Sequence, residues 1–156
     1  MLHFERESAD HINNSGIRSL RFQNRLIQSF SKTVANIYGT GTTINQILFD
    51  SIDCNDARLN LIQNVCGFGP KQSSLYLRRI HYSDNFAVLD THIIDYLKLN
   101  KLVSTSKSSL DFHSYLDIEN IFLEHAKQSG YSAGCFDLAT WITMRVAKRE
   151  GYSCVL

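Results

Sequence analysis

Val65-Cys66-Gly67-Phe68-Gly69-Pro70-Lys71 holds the only proline of the chain and two of its eight glycines. Apolar residues at helical spacing flank it, with Leu61, Ile62 and Val65 before and Leu75, Leu77 and Ile80 after. Gly67 and Gly69 permit the positive φ that a tight corner needs, and Pro70 is pre-shaped for the first turn of a helix. The pattern therefore predicts a helix, a hairpin over about residues 66–71, and a second helix. In such a hairpin, successive amide N–H groups can point outward as an anion-binding concavity, reinforced by the positive end of the following helix. A plain αα corner uses glycines in the same way, so these residues alone leave both readings open.

Lys71 stands in the first turn of the second helix, where the macrodipole disfavours a cation by about 0.3–1 kcal/mol. Asp, Glu or Ser would suit a purely structural role there. An amine at this place points instead to a nucleophile or a phosphate ligand, against the plain alternative of a solvated lysine. Nineteen residues later comes Asp90-Thr91-His92, at a helix start after the apolar run Phe86-Ala87-Val88-Leu89. Asp90 is a good N-cap, which by itself explains it. An ionised carboxylate held there can also stabilise a developing cation or accept a proton. His92 offers a donor for a phosphate, or is a half-buried residue of an amphipathic helix.

Outward from this block the periodicity is that of an all-α protein, a compact helical domain built around the helix-hairpin-helix motif. Leu20, Leu26, Ile27, Phe30, Val34 and Ile37 mark a first long helix ending near Gly39-Thr40-Gly41, with Thr42 and Thr43 capping a short helix through Ile44, Ile47 and Leu48. Asn55 is read as the cap of the helix before the hairpin. The run Phe86–Leu89 admits a strand as well as a helix. Leu116, Phe122, Leu123 and Ala126 predict a helix ended by Gly130, and Leu138, Trp141, Ile142 and Val146 a last one ended by Gly151. Residues 103–109 read as a loop, residues 1–10 as a mobile N-terminus, and residues 11–156 as a single domain.

Composition bounds the function. The 156 residues are 44% apolar and 20% charged, and 16 Lys+Arg against 15 Asp+Glu leave a net charge of +1, so any nucleic-acid contact is local rather than a broad basic field. No apolar run approaches the roughly 20 residues of a membrane span and no leader is recognisable, which predicts a soluble, cytoplasmic protein. The four cysteines, Cys54, Cys66, Cys135 and Cys154, contain no C-x-x-C pair, so reduced thiols are expected and neither a metal nor another cofactor is implied.

The block Val65–Lys71 followed by Leu89-Asp90-Thr91-His92 resembles the catalytic segment of the helix-hairpin-helix DNA glycosylase superfamily, most of all the short archaeal-type 8-oxoguanine DNA glycosylase/AP lyases. The resemblance implies that Lys71 attacks C1′ of the damaged nucleotide and forms a Schiff base, and that Asp90 supports the sugar cation and the proton transfers. It implies DNA phosphate contacts for Gly67, Gly69 and His92. Phe136-Asp137-Leu138-Ala139-Thr140-Trp141 is similar to the opening of the short branch's terminal helix, which makes Asp137 and Trp141 candidates for the base pocket. Together these stretches lie in about the last 95 residues. Only 66 residues precede Gly67, a shorter region than the family's, and the chain ends Ser153-Cys154-Val155-Leu156 where the short branch carries a base-contacting lysine. A reduced duplex-opening wedge and an altered base specificity are the corresponding expectations.

Three functions follow. The first is a bifunctional N-glycosylase with β-lyase activity on a modified purine in DNA, which must be flipped from the stack to be reached. The second keeps Lys71 and Asp90 but takes a purine-like or deazaguanine-type base outside duplex DNA, on a nucleotide, an RNA or a protein, as in antiviral defence. The third is a non-catalytic helix-hairpin-helix binding module.

Overall fold

Thr43, Asp53, Asp90, Asp111 and Ser132 each place a side-chain oxygen on the open N–H groups of a helix start, the commonest way of satisfying those donors. The computed structural model describes residues 23–104 and 110–150, and these form helices joined by turns and irregular segments, with no strand among them. The helices are α1 (Gln23–Gly39), α2 (Ile44–Phe49), α3 (Cys54–Asn64), α4 (Pro70–Arg79), α5 (Thr91–Leu99), α6 (Phe112–Gln128) and α7 (Ala133–Arg149). The all-α expectation holds. Residues 1–22, 105–109 and 151–156 lie outside the described residues, and with them the expectations for the first ten residues, Leu20, most of the 103–109 loop, Gly151 and Cys154. The same holds for the side chains of Leu26 and Ile27.

The chain forms two compact units, Met1–Gly69 and Pro70–Leu156. In the first, Thr43 caps α2 as expected, its hydroxyl accepting the Gln46 N–H at 3.1 Å. The cap of α3 is Asp53 rather than Asn55: its Oδ1 accepts the N–H groups of Asn55 and Asp56, both at 2.8 Å. A carboxylate acceptor at the positive helix end outcompetes an amide two residues further on. Ile37, Leu48, Ala57, Leu61 and Val65 are buried, whereas Phe30, assigned by spacing to the same apolar face as Ile37, is exposed.

The core of the second unit gathers Ala87, Leu89, Ile93, Leu97, Tyr115, Ile118 and Phe122, with Phe136 and Trp141 packed against it. Phe86–Leu89 is neither helix nor paired strand. It is a buried irregular segment, and its backbone groups find side chains instead: Arg78 donates to Phe86 O at 3.4 Å, and Ala87 N–H donates to Glu119 Oε1 at 2.9 Å. Val88 N–H donates to Asp137 Oδ2 at 2.9 Å and Leu89 N–H to the Tyr115 hydroxyl at 3.2 Å. Buried amides must be paired, and with no neighbouring strand these side chains take that part.

Two helices bury a face that their apolar residues mark only in part or not at all. On α4 the buried residues are Ser73, Ser74 and Leu77, while Leu75 and Ile80 at its end are exposed. On α7 the inward residues are Ala133, Asp137, Thr140 and Met144, and the apolar stripe Leu138, Ile142 and Val146 stays 58%, 49% and 47% exposed. The Asp137 carboxylate decides this, because it meets Arg78 and the Val88 amide on the inner side.

Candidate active site

Asp90 takes its position from the helix it starts. Its backbone is extended, and Oδ1 accepts the N–H groups of His92 at 2.8 Å and Ile93 at 3.0 Å. Oδ2 makes no hydrogen bond with a described residue, so one oxygen fixes the carboxylate while the other remains available. Lys71 is the second residue of α4, half-buried, and its side chain forms no ion pair or hydrogen bond with a described residue. Both belong to the unit Pro70–Leu156. A lysine side chain that is not tied to a carboxylate can reach an incoming ligand.

The last α3 turn leads into a β-turn over residues 65–68, closed by the Phe68 N–H donating to Val65 O at 3.0 Å. Gly67 is its third residue with φ +90°, the position at which such a turn favours glycine. A Cβ there would also stand 3.3 Å from Ser29 Oγ. The Cys66 N–H donates to Thr33 Oγ1 at 2.9 Å. Gly69 is not among the positive-φ residues; it precedes Pro70, whose ring disfavours helical conformation at that place.

His92 and Trp141 meet edge to face, with centroids 5.9 Å apart and planes at 82°. His92 Nδ1 is buried and has no hydrogen-bond partner among the described residues. The Arg145 guanidinium carbon stands 4.8 Å from the Trp141 ring centroid, a cation–π distance. Arg145, Lys148 and Arg149 stand at the spacing of one basic face of α7. In the structure Lys148 instead pairs with Asp95 and Arg145 covers Trp141. Arg78 is likewise committed, to Asp137.

Asp137 is 5% exposed. Burial raises its pKa above the ordinary carboxylate value; the Val88 amide and Arg78 pull it down less strongly, and the Asp90 charge pushes it up again. The folded state thus holds this proton more tightly than the unfolded chain does. Its stabilising contribution is complete below the ordinary carboxylate value and is lost as pH rises through the raised folded value. The stability of wild type minus that of Asp137→Asn should accordingly fall as pH rises from about 4 to 7. Parallel melting curves across that range check this, and a difference that grows with pH contradicts it.

Tyr115 and Glu119 carry no motif and escaped sequence reasoning. The available signal was faint: two polar-capable residues four apart on a helix that otherwise buries Ile118, Phe122 and Ala126.

The family model for 8-oxoguanine DNA glycosylase matches residues 3–131, more than half of the chain. The chain belongs to the 8-oxoguanine DNA glycosylase family. The glycosylase match extends well upstream of the motif block that first suggested it and stops before Asp137 and Trp141. The 8-oxoguanine DNA glycosylase/AP lyase of Thermoplasma volcanium is 41% identical over 86 residues, 55% of this chain and 40% of the relative. That of Picrophilus torridus is 34% identical over 114 residues, 72% and 54% of the two chains. The chain thus matches about half the length of these curated glycosylases or less. The structure is similar to that of Methanocaldococcus jannaschii 8-oxoguanine glycosylase/lyase in complex with a 15mer DNA containing 8-oxoguanine, with a TM-score of 0.72, 25% identity, and coverage of 88% of this chain and 62% of that one. The 8-oxoguanine DNA glycosylase of Thermotoga maritima gives a TM-score of 0.64 at 25% identity, covering 88% of this chain and 61% of that one.

Proposed function

We propose that this protein is a DNA glycosylase/AP lyase that removes an 8-oxoguanine-like purine from DNA through a Schiff base on Lys71. The observation that carries the reading is the presence, in one compact unit, of a lysine in the first turn of α4 whose side chain has no partner among the described residues and of a carboxylate fixed through one oxygen, with no hydrogen bond from a described residue to the other. The Lys71 amine attacks C1′ of the flipped nucleotide and the N-glycosidic bond breaks, the base leaving with a proton. Asp90 stabilises the positive charge that develops on the sugar and takes the proton released by the attacking amine. Opening of the sugar ring leaves a Schiff base, and loss of a C2′ proton then expels the 3′ phosphate. The turn at Gly67 with Gly69, and His92, supply the phosphate contacts; Asp137 and Trp141 border the base pocket. DNA within the cell is the partner, and the cytoplasm the place of action, which suits the free thiols Cys54, Cys66 and Cys135. Among the described residues no helix is long and apolar enough to cross a membrane.

The test is single-turnover incubation with a duplex carrying one 8-oxoguanine, read as free base released and strand nicked. Release without a Lys71-dependent nick, or no release, overturns the reading.

Binding to undamaged duplex is expected to be weak and only mildly salt-dependent. Of the cations on α4 and α7, Arg78 and Lys148 are held in ion pairs and Arg145 lies over Trp141, which withdraws these three from phosphate contact. At roughly −0.9 in log K against log salt per phosphate neutralised, the slope should stay below about 5 in magnitude. A salt titration giving a much steeper slope contradicts this.

A further inference from the structure

The irregular segment before Asp90 hangs on α6. The Tyr115 hydroxyl accepts the Leu89 N–H at 3.2 Å and donates to Ala87 O at 2.7 Å, so one phenol closes residues 87–89 into a fixed arc ending one residue before Asp90. One helical turn further on, Glu119 Oε1 accepts the Ala87 N–H at 2.9 Å. Both side chains are buried, Tyr115 at 2% and Glu119 at 3% exposure. The Asp90 N–H in turn donates to Val88 O at 2.7 Å, inside the arc that these residues hold. An exposed loop would need none of this. A segment that must present one carboxylate at one place needs all of it, since misplacing a reacting group by about 1 Å can cost about 100-fold in rate.

We propose that Tyr115 and Glu119 are positioning residues for Asp90, acting through the backbone of Ala87, Val88 and Leu89. The proposal rests on the function given above, and it separates two steps. Excision of an intact base requires Asp90 in register with the sugar, whereas Schiff-base formation on a preformed abasic site begins from an aldehyde and draws mainly on the Lys71 amine.

Tyr115→Phe removes only the hydroxyl. We expect its single-turnover excision of 8-oxoguanine to fall at least about tenfold. Borohydride trapping on abasic-site duplex should stay within about threefold of wild type, with KM for the duplex unchanged. Glu119→Gln keeps an oxygen acceptor for the Ala87 N–H and should excise at close to the wild-type rate, while Glu119→Leu should not. A second measurement needs no activity: amide hydrogen exchange at His92 and Ile93, the two donors to Asp90 Oδ1, should accelerate in Tyr115→Phe while Leu97 keeps its protection. Unchanged excision and exchange in Tyr115→Phe overturn the proposal, as does an equal fall in excision and trapping, which would show a general loss of structure. If the wild-type protein is inert on both duplexes, the glycosylase reading fails, and the exchange at His92 and Ile93 still decides whether Tyr115 seats Asp90.

Discussion

Asp90→Asn is expected to lose base excision by about 100- to 10,000-fold, the range in which a positioned acid-base group contributes, while its melting temperature stays close to that of the wild type. The separation follows from the two oxygens. Asparagine caps helices about as well as aspartate, and its Oδ1 can take over the His92 and Ile93 amides now held at 2.8 and 3.0 Å. What it cannot supply is the negative charge for the sugar cation or the site for the displaced proton. Asp90→Ala should lose the excision and the cap together, at an added cost of about 1 kcal/mol in stability. Single-turnover kinetics beside thermal melts distinguish the pair. Equal activity of Asp90→Asn and wild type would return Asp90 to a purely structural role.

Lys71→Gln should abolish the covalent adduct altogether while binding duplex DNA within a few-fold of wild type. The amide keeps the bulk of the side chain at the second position of α4 but has no nucleophilic lone pair. Because Lys71 has no ion pair with a described residue, its loss leaves no described carboxylate stranded and should barely alter stability. Excision should fall to background in the same variant, since the base leaves as the amine attacks. Wild-type trapping by Lys71→Gln would assign the reaction to another amine.

The helices were legible because their signals are local. Capping residues marked the starts of α2 and α5, and periodicity marked α6 with its end at the Gly130 turn, where φ is +78°. The glycine-proline block placed the turn at Gly67 and the start of α4. Local signals failed where a distant partner decides. Phe86–Leu89 reads as helix or strand, and its true state depends on Glu119, Tyr115 and Asp137, which lie 26 to 49 residues away. On α7 the apolar stripe Leu138, Ile142 and Val146 outweighed Asp137 in the pattern, yet a buried carboxylate with a guanidinium and an amide to bind turned the other face inward. Of the candidate site, Lys71, Asp90 and the hairpin glycines Gly67 and Gly69 stood out because a cation at a helix start and clustered glycines break local rules. Tyr115 and Glu119 break none, and only the fold shows what they hold.

The measurement closest to the central claim is borohydride trapping of the wild-type protein on a duplex with a single 8-oxoguanine, followed by peptide mapping of the adduct. The account predicts one covalent attachment, on the peptide containing Lys71, at the nitrogen of that side chain. An adduct mapping to any other amine, or none from a protein that releases the base, would contradict it.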